Sequence, residues 1–86
     1  DTSIAAAKRA QPRAAGDRER ILALIRDAQY TGATCDEIEV ACGLAHQTAS
    51  ARINDLMHDG KIRVSIGRRP TRSGAMSRVY ITQEIP

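Results

Sequence analysis

The side chains of this chain that are best suited to contact another molecule lie on one side of a helical pattern after residue 44. Gln47 and Asn54 carry amides, which can pair bidentately with adenine in the major groove of DNA. Together with His46 and Ser50 they avoid the apolar positions 44, 49, 53 and 56, so all four are expected on the exposed side of the helix. These residue types in this pattern are able to recognise base edges.

A second group of polar side chains follows in a turn-rich segment. It contains three arginines interleaved with two hydroxyls: Arg68, Arg69, Thr71, Arg72 and Ser73. We expect a basic loop of about ten residues between two strands, whose guanidinium groups can hold phosphates or approach a narrow minor groove. Residues 61–83 carry six basic side chains and no acidic one, although the net charge of the 86-residue chain is only +3. This asymmetry favours a polyanionic partner.

Composition argues against catalysis. The chain has no Trp or Phe and only two Tyr, so its core should be thin and any pocket shallow. No glycine-rich phosphate loop, nucleophile elbow or metal-binding H-E-x-x-H motif occurs. The acidic residues Asp36, Glu37 and Glu39 lie near a predicted helix start, where carboxylates interact favourably with the helix dipole. We therefore expect neither an enzyme nor a cofactor.

The two cysteines, Cys35 and Cys42, are seven residues apart in one predicted helix, too far along its axis for a disulfide. With His46 and His58 they contain enough ligands for a zinc site, but the spacing matches no compact ligand pair. We expect reduced, buried thiols and no metal ligands. A metal or redox sensor built on Cys35, Cys42 and His46 is the weakest alternative.

Hydrophobic periodicity predicts the elements that position these residues. The first helix is expected over about residues 17–28, with Asp17 as its N-cap. The second helix is expected to begin at the capping box formed by Thr34 and Glu37 and to end at Gly43. The third helix is expected to end at Asp59-Gly60. Alternating residues predict strands at 62–66 and 79–82, and the link at residues 30–34 can supply a short third strand. The predicted class is α+β, with three helices followed by a two- to three-stranded antiparallel hairpin. Residues 1–15 are expected to form a flexible basic arm, residues 16–83 the domain and residues 84–86 a tail.

Over roughly residues 17–83 the chain resembles the winged helix-turn-helix superfamily. Residues 43–62 are similar to the recognition helix of MarR-like regulators: a leucine, polar residues, Thr48-x-Ser50, a basic residue, spaced aliphatics and glycine. The segment Arg69-Pro70-Thr71-Arg72-Ser73-Gly74 is similar to the wing of small phage and prophage winged-helix proteins. The resemblance implies that His46, Gln47, Ser50 and Asn54 face DNA, that Thr48 contacts a phosphate or caps the helix, and that Arg52 reaches a phosphate.

The resemblance therefore implies a double-stranded DNA binder, either a small transcriptional regulator or a phage-type accessory factor. A homodimer or a larger nucleoprotein assembly is left open, because the chain lacks the additional helices that MarR-like regulators use to dimerise. The alternative function is a protein–protein docking module inside such an assembly. No apolar run is long enough for a membrane helix, and we expect a cytoplasmic, nucleoid-associated protein.

Overall fold

The computed structural model of the protein describes the backbone of residues 2–83 and the side chains of residues 14–83. Three α-helices precede one antiparallel hairpin: α1 (Thr2–Ala28), α2 (Cys35–Cys42), α3 (His46–His58), β1 (Ile62–Pro70) and β2 (Met76–Thr82). A 3-10 turn at Gln29–Thr31 joins α1 to the link before α2. The predicted α+β order of three helices followed by a hairpin is confirmed.

Helix α1 begins at Thr2, well before the start at residue 17 that its apolar periodicity predicts. The preceding segment is rich in alanine, which has the highest intrinsic helix propensity. Asp17 is therefore not an N-cap; it lies inside the helix, is buried, and accepts a 3.3 Å hydrogen bond from Arg20. The basic side chains of the arm predicted over residues 1–15, and the tail predicted over residues 84–86, lie outside the described residues.

The core is aliphatic and lies where the three helices meet the hairpin. Its buried members come from every element: Ile21, Leu22, Ile25, Ile38, Ala49, Ile53, Leu56, Ile62, Val79 and Ile81. Helix α3 buries a face formed by Ala49, Ile53 and Leu56, but Met57, which the same apolar spacing also predicts toward the core, is exposed. Because this face points inward, the polar positions between its members must face outward.

Both ends of α2 are specified by local contacts. Thr34 Oγ1 accepts a 3.1 Å hydrogen bond from the backbone N–H of Glu37, and Glu37 Oε1 accepts one of 3.1 Å from the backbone N–H of Thr34, so the predicted capping box is confirmed. Gly43 ends α2 with φ of 65°, the left-handed conformation that favours glycine. The chain then reverses into α3 within three residues.

The hairpin is longer and its loop shorter than the sequence predicts. Arg68, Arg69 and Pro70 belong to β1, and only residues 71–75 form the turn. Pairing shifts between Val64 and Arg68, so a bulge there leaves Ile66 fully exposed. Beyond the bulge β1 carries Arg68, Arg69 and Pro70, of which only Arg69 is half-buried, so the apolar alternation that identifies a strand is lost.

The link between α1 and α2 contributes a single bridge to the hairpin rather than a third strand. Ala33 exchanges two backbone hydrogen bonds with Tyr80, of 2.9 and 2.8 Å. Gly32, just before it, has φ of 62°, and a Cβ at this position would lie 2.4 Å from the carbonyl oxygen of Tyr80. The approach of the link to β2 therefore requires glycine.

Candidate nucleic-acid interface

Helix α3 separates a buried apolar face from an accessible polar one. His46, Gln47 and Asn54 are exposed, while Thr48 and Ser50 are half-buried. Gln47 and Asn54 make no hydrogen bond or ion pair within the part of the chain whose side chains are described. Their amides are therefore available for an external partner.

The N-terminus of α3 has no side-chain cap among the described residues. Its N-cap is Ala45, whose side chain cannot accept a hydrogen bond, so no capping side chain satisfies the amides of the first turn. The capping role that the resemblance allowed for Thr48 is not observed here. Uncapped amides at a helix start favour a phosphate or another anion, and they lie beside the Thr48 hydroxyl.

Arg52 has an internal partner. Its Nε donates to Asp55 Oδ2 at 2.8 Å, and the same oxygen accepts from Arg18 Nη1 of α1 at 3.2 Å. The carboxylate thus ties α3 to α1 through two cations. The phosphate contact predicted for Arg52 requires it to leave or share this carboxylate.

Arg69 is held most extensively of the hairpin arginines. Its Nε donates to Glu37 Oε2 at 2.8 Å, and its Nη2 donates to Glu37 Oε1 at 2.5 Å. The remaining donors reach the backbone carbonyls of Thr31 at 2.8 Å and Gly32 at 3.0 Å. This hydrogen bonding lowers the pKa of Glu37 and raises the pKa of Arg69. Arg69 therefore links the hairpin to the start of α2.

Arg72 forms a second, more exposed link to the same helix. Its Nε donates to Asp36 Oδ1 at 2.6 Å and its backbone N–H to Asp36 Oδ2 at 3.2 Å, while Nη2 lies 3.5 Å from Glu39 Oε1. The Arg72 side chain is 64% exposed, although that of Asp36 is only 19% exposed, so water screens the pair from the arginine side and a phosphate can compete for the guanidinium group. The neighbouring hydroxyls of Thr71 and Ser73 bond to each other at 2.9 Å within the turn.

Arg68 differs from both. It is exposed, and its Cα is the direct cross-strand partner of Arg78. Within the described side chains neither guanidinium group has a carboxylate or another hydrogen-bond partner. Two like charges directly opposite each other on a hairpin destabilise it unless an external anion compensates them.

A smaller polar cluster occupies the cleft between α2, the start of α3 and the hairpin turn, and its member Glu39 was not predicted from the sequence. Glu39 Oε2 lies 2.9 Å from His46 Nδ1 and 3.4 Å from Cys35 Sγ, and Sγ lies 3.8 Å from Nδ1. The hydrogen bond with His46 lowers the pKa of Glu39. Burial, followed by the hydrogen bond and charge of Glu39 and the charge of Asp36, raises the pKa of the Cys35 thiol to about 12.

Neither cysteine forms a disulfide; both are half-buried rather than buried, and both pack against the core. The sensor alternative combined Cys35 with Cys42 and His46; the structure brings Cys35 and His46 together, but with Glu39 as the third member. The i, i+4 spacing of Cys35 and Glu39 on one helix face was the signal that could have indicated half of this cluster.

The chain matches no protein-family model, no curated protein and no solved structure. Among the described residues, no helix has the length and apolar character needed to cross a membrane.

Proposed function

We propose that this chain is a winged helix-turn-helix protein that binds double-stranded DNA, with α3 as the recognition helix and the hairpin as the wing. The order of three helices and a hairpin, and the outward polar face of α3, are compatible with that arrangement. In this mode α3 enters the major groove, where Gln47 and Asn54 read base edges, while the wing contacts the flanking backbone or minor groove.

The observation that carries the proposal is the uncompensated pair Arg68 and Arg78. A hairpin that only had to fold would gain stability from an acidic residue at either position, since opposite charges across strands attract. Phosphates of a duplex would supply the missing negative charge and release condensed counterions. His46 of α3 lines one cleft with the turn residues Thr71 and Ser73, so the recognition helix and the wing tip share one side of the domain.

The hairpin arginines thereby divide into two kinds. Arg69 is expected to fix the angle of the wing, because its partners among the described residues belong to the start of α2 and the segment just before it. Arg68 and Arg78 are expected to bind phosphates directly. Arg72 combines both roles, since it pairs with Asp36 of α2 while its own side chain is 64% exposed.

The test is the salt dependence of binding to duplex DNA, after a preferred sequence has been selected from a random duplex pool at stated salt. Each lost phosphate contact lowers the slope of log K against log salt by about 0.9. Arg68→Ala and Arg78→Ala should each lower the slope by about that amount, and the double variant by about twice as much. Preferred and random duplexes should be affected alike, because phosphate contacts do not specify sequence.

Arg69→Ala is the matched control, since it removes the same side chain from the adjacent position of β1. Measured well below its melting temperature, it should lower the slope by less than either Arg68→Ala or Arg78→Ala, because Arg69 positions the wing and does not itself contact a phosphate. Wild-type slopes in the Arg68 and Arg78 variants, or no duplex binding at low salt, would refute the proposal.

A docking module in a nucleoprotein assembly is the second candidate, and the exposed apolar residues of the hairpin favour it. Ile66 at the bulge is fully exposed and Met76 is largely exposed. Apolar side chains in this position can pack against a protein partner or insert between base pairs from the minor groove. Ile66→Ser should weaken DNA binding if the side chain contacts the duplex; unchanged DNA binding by this variant would favour a protein contact there.

A further inference from the structure

Cys35, Glu39 and His46 form a group whose chemistry the proposed DNA contacts leave unused. Cys35 and Glu39 are one turn apart on α2, and His46 is the first residue of α3, brought back to them by the turn at Gly43. One potential ligand atom from each residue lies within 4.8 Å of the other two. A thiol, a carboxylate and an imidazole thus converge on one point.

This donor set is selective by its chemistry. Thiolate sulfur and imidazole nitrogen favour zinc and similar borderline metals over magnesium or calcium, which take oxygen ligands. Zinc sites with three protein ligands keep a fourth position for water or another molecule. We propose that Cys35, Glu39 and His46 bind one zinc-class divalent cation, with the fourth position open to the cleft.

The interatomic distances fit such a site with small adjustments. For tetrahedral zinc the ligand bond lengths imply about 3.6 Å between sulfur and either nitrogen or oxygen, and about 3.4 Å between nitrogen and oxygen. The corresponding distances here are 3.8 Å from sulfur to nitrogen, 3.4 Å from sulfur to oxygen and 2.9 Å from nitrogen to oxygen. The largest adjustment is the opening of the His46 to Glu39 hydrogen bond by about half an ångström, which would accompany replacement of its proton by the metal.

Access and surroundings also suit a cation. The His46 side chain is 73% exposed and the Glu39 side chain 14%, so an ion can approach from the imidazole side while the carboxylate is held in place. The cleft has a volume of about 290 Å³ and is also lined by the hydroxyl residues Thr71, Ser73 and Ser77. Asp36 adds a second carboxylate to the lining, which offsets the charge of Arg72 near Glu39.

The metal would join α2 to α3 without occupying the rest of the recognition face. His46 offers Nδ1 to the cluster, and its other ring nitrogen has no partner among the described residues. Gln47 and Asn54 take no part in the site. Metal binding and DNA binding can therefore be measured, and can fail, independently.

The test is titration of the purified chain, with its cysteines reduced, by Co²⁺, a spectroscopic substitute for zinc. We expect one Co²⁺ per chain, with thiolate-to-cobalt charge-transfer absorption and displacement of Co²⁺ by Zn²⁺. Cys35→Ser should abolish the charge-transfer band. Glu39→Gln and His46→Gln should each weaken binding by at least about tenfold, the lower end of the effect known for residues that merely support ligands.

The matched controls are Cys42→Ser and His58→Gln, which remove the other thiol and the other imidazole of the chain. Both should keep the wild-type band and affinity. Circular dichroism of each variant without metal identifies any loss of fold, and Zn²⁺ should raise the melting temperature of the wild type and of the controls but not of Cys35→Ser. Absence of a charge-transfer band in the folded wild type, its persistence in Cys35→Ser, or its loss in folded Cys42→Ser would overturn the proposal.

Discussion

Replacing Arg69 by Ala should destabilise the domain far more than replacing its neighbour Arg68. Arg69 makes a bidentate ion pair with Glu37 and donates to two backbone carbonyls, whereas Arg68 has no partner among the described side chains. Both substitutions exchange the same residue types on β1, so differences in strand propensity and side-chain entropy largely cancel.

The size of the loss in stability on Arg69→Ala follows from how exposed each partner of Arg69 is. The side chains of Arg69 and Glu37 are 31% and 43% exposed, so screening by water reduces the ion pair to about 0.5 kcal/mol. Gly32 is buried, and its carbonyl loses a charged donor, which costs about 1.5 kcal/mol. Thr31 is exposed and water can replace its hydrogen bond. We expect Arg69→Ala to lose about 2 kcal/mol in the free energy of unfolding, and Arg68→Ala to stay within about 0.5 kcal/mol of wild type.

The assay is urea unfolding of both variants at neutral pH, together with thermal melting. For a domain of this size 2 kcal/mol corresponds to a decrease in melting temperature of roughly 8 to 16 °C. Equal losses of unfolding free energy in the two variants, or a larger loss for Arg68→Ala, would refute the conclusion that Arg69 links the hairpin to α2.

The same pair predicts a pH dependence. Because the hydrogen bond from Arg69 lowers the pKa of Glu37 below its usual 4.5, the stability it contributes is present above that value. It is lost as the pH falls through the lowered pKa of the folded state. The difference in unfolding free energy between wild type and Arg69→Ala should therefore shrink as the pH is reduced below about 4.5. A difference that stays constant down to pH about 2 would mean that the charge of Glu37 contributes nothing.

Three further predictions concern other parts of the fold and interface. Gly32→Ala should lower the free energy of unfolding by about 3 kcal/mol or more, because its Cβ would meet a backbone carbonyl of β2. Gly43→Ala has a similar φ but open space around its Cβ, so it should lower the free energy of unfolding by only about 1 kcal/mol. Equal decreases in the melting temperatures of the two variants would contradict the close approach of Gly32 to β2. Thr34→Ala should lower the free energy of unfolding by about 1 kcal/mol, because it removes half of the capping box. An unchanged midpoint of urea unfolding would show that the capping box contributes nothing to stability. Gln47→Ala and Asn54→Ala should each weaken binding to a preferred duplex by about 1 to 3 kcal/mol but barely change binding to a random duplex, as measured by competition binding. Wild-type affinity of both variants for both duplexes would mean that α3 does not contact the bases.

Local contacts could be predicted from the sequence because they join residues a few positions apart. The capping box needs only Thr34 and Glu37 at the right spacing, and the end of α2 needs only Gly43. The buried face of α3 likewise follows from its helical period. These features fix the directions of the helices and present the polar face of α3 to solvent.

The roles of neighbouring charges were decided only by the tertiary structure. Glu37 and Arg69 are 32 residues apart, and nothing in either local pattern indicates that the capping carboxylate also holds the hairpin. The sequence predicted Arg68 and Arg69 as equivalent members of one loop. Once both lie in β1, adjacent side chains point to opposite faces, so one meets α2 and the other faces solvent opposite Arg78. The cluster of Cys35, Glu39 and His46 arises in the same way: helix spacing aligns the first two, but only the packing of α3 against α2 brings the imidazole to them, because contacts between elements depend on how those elements pack.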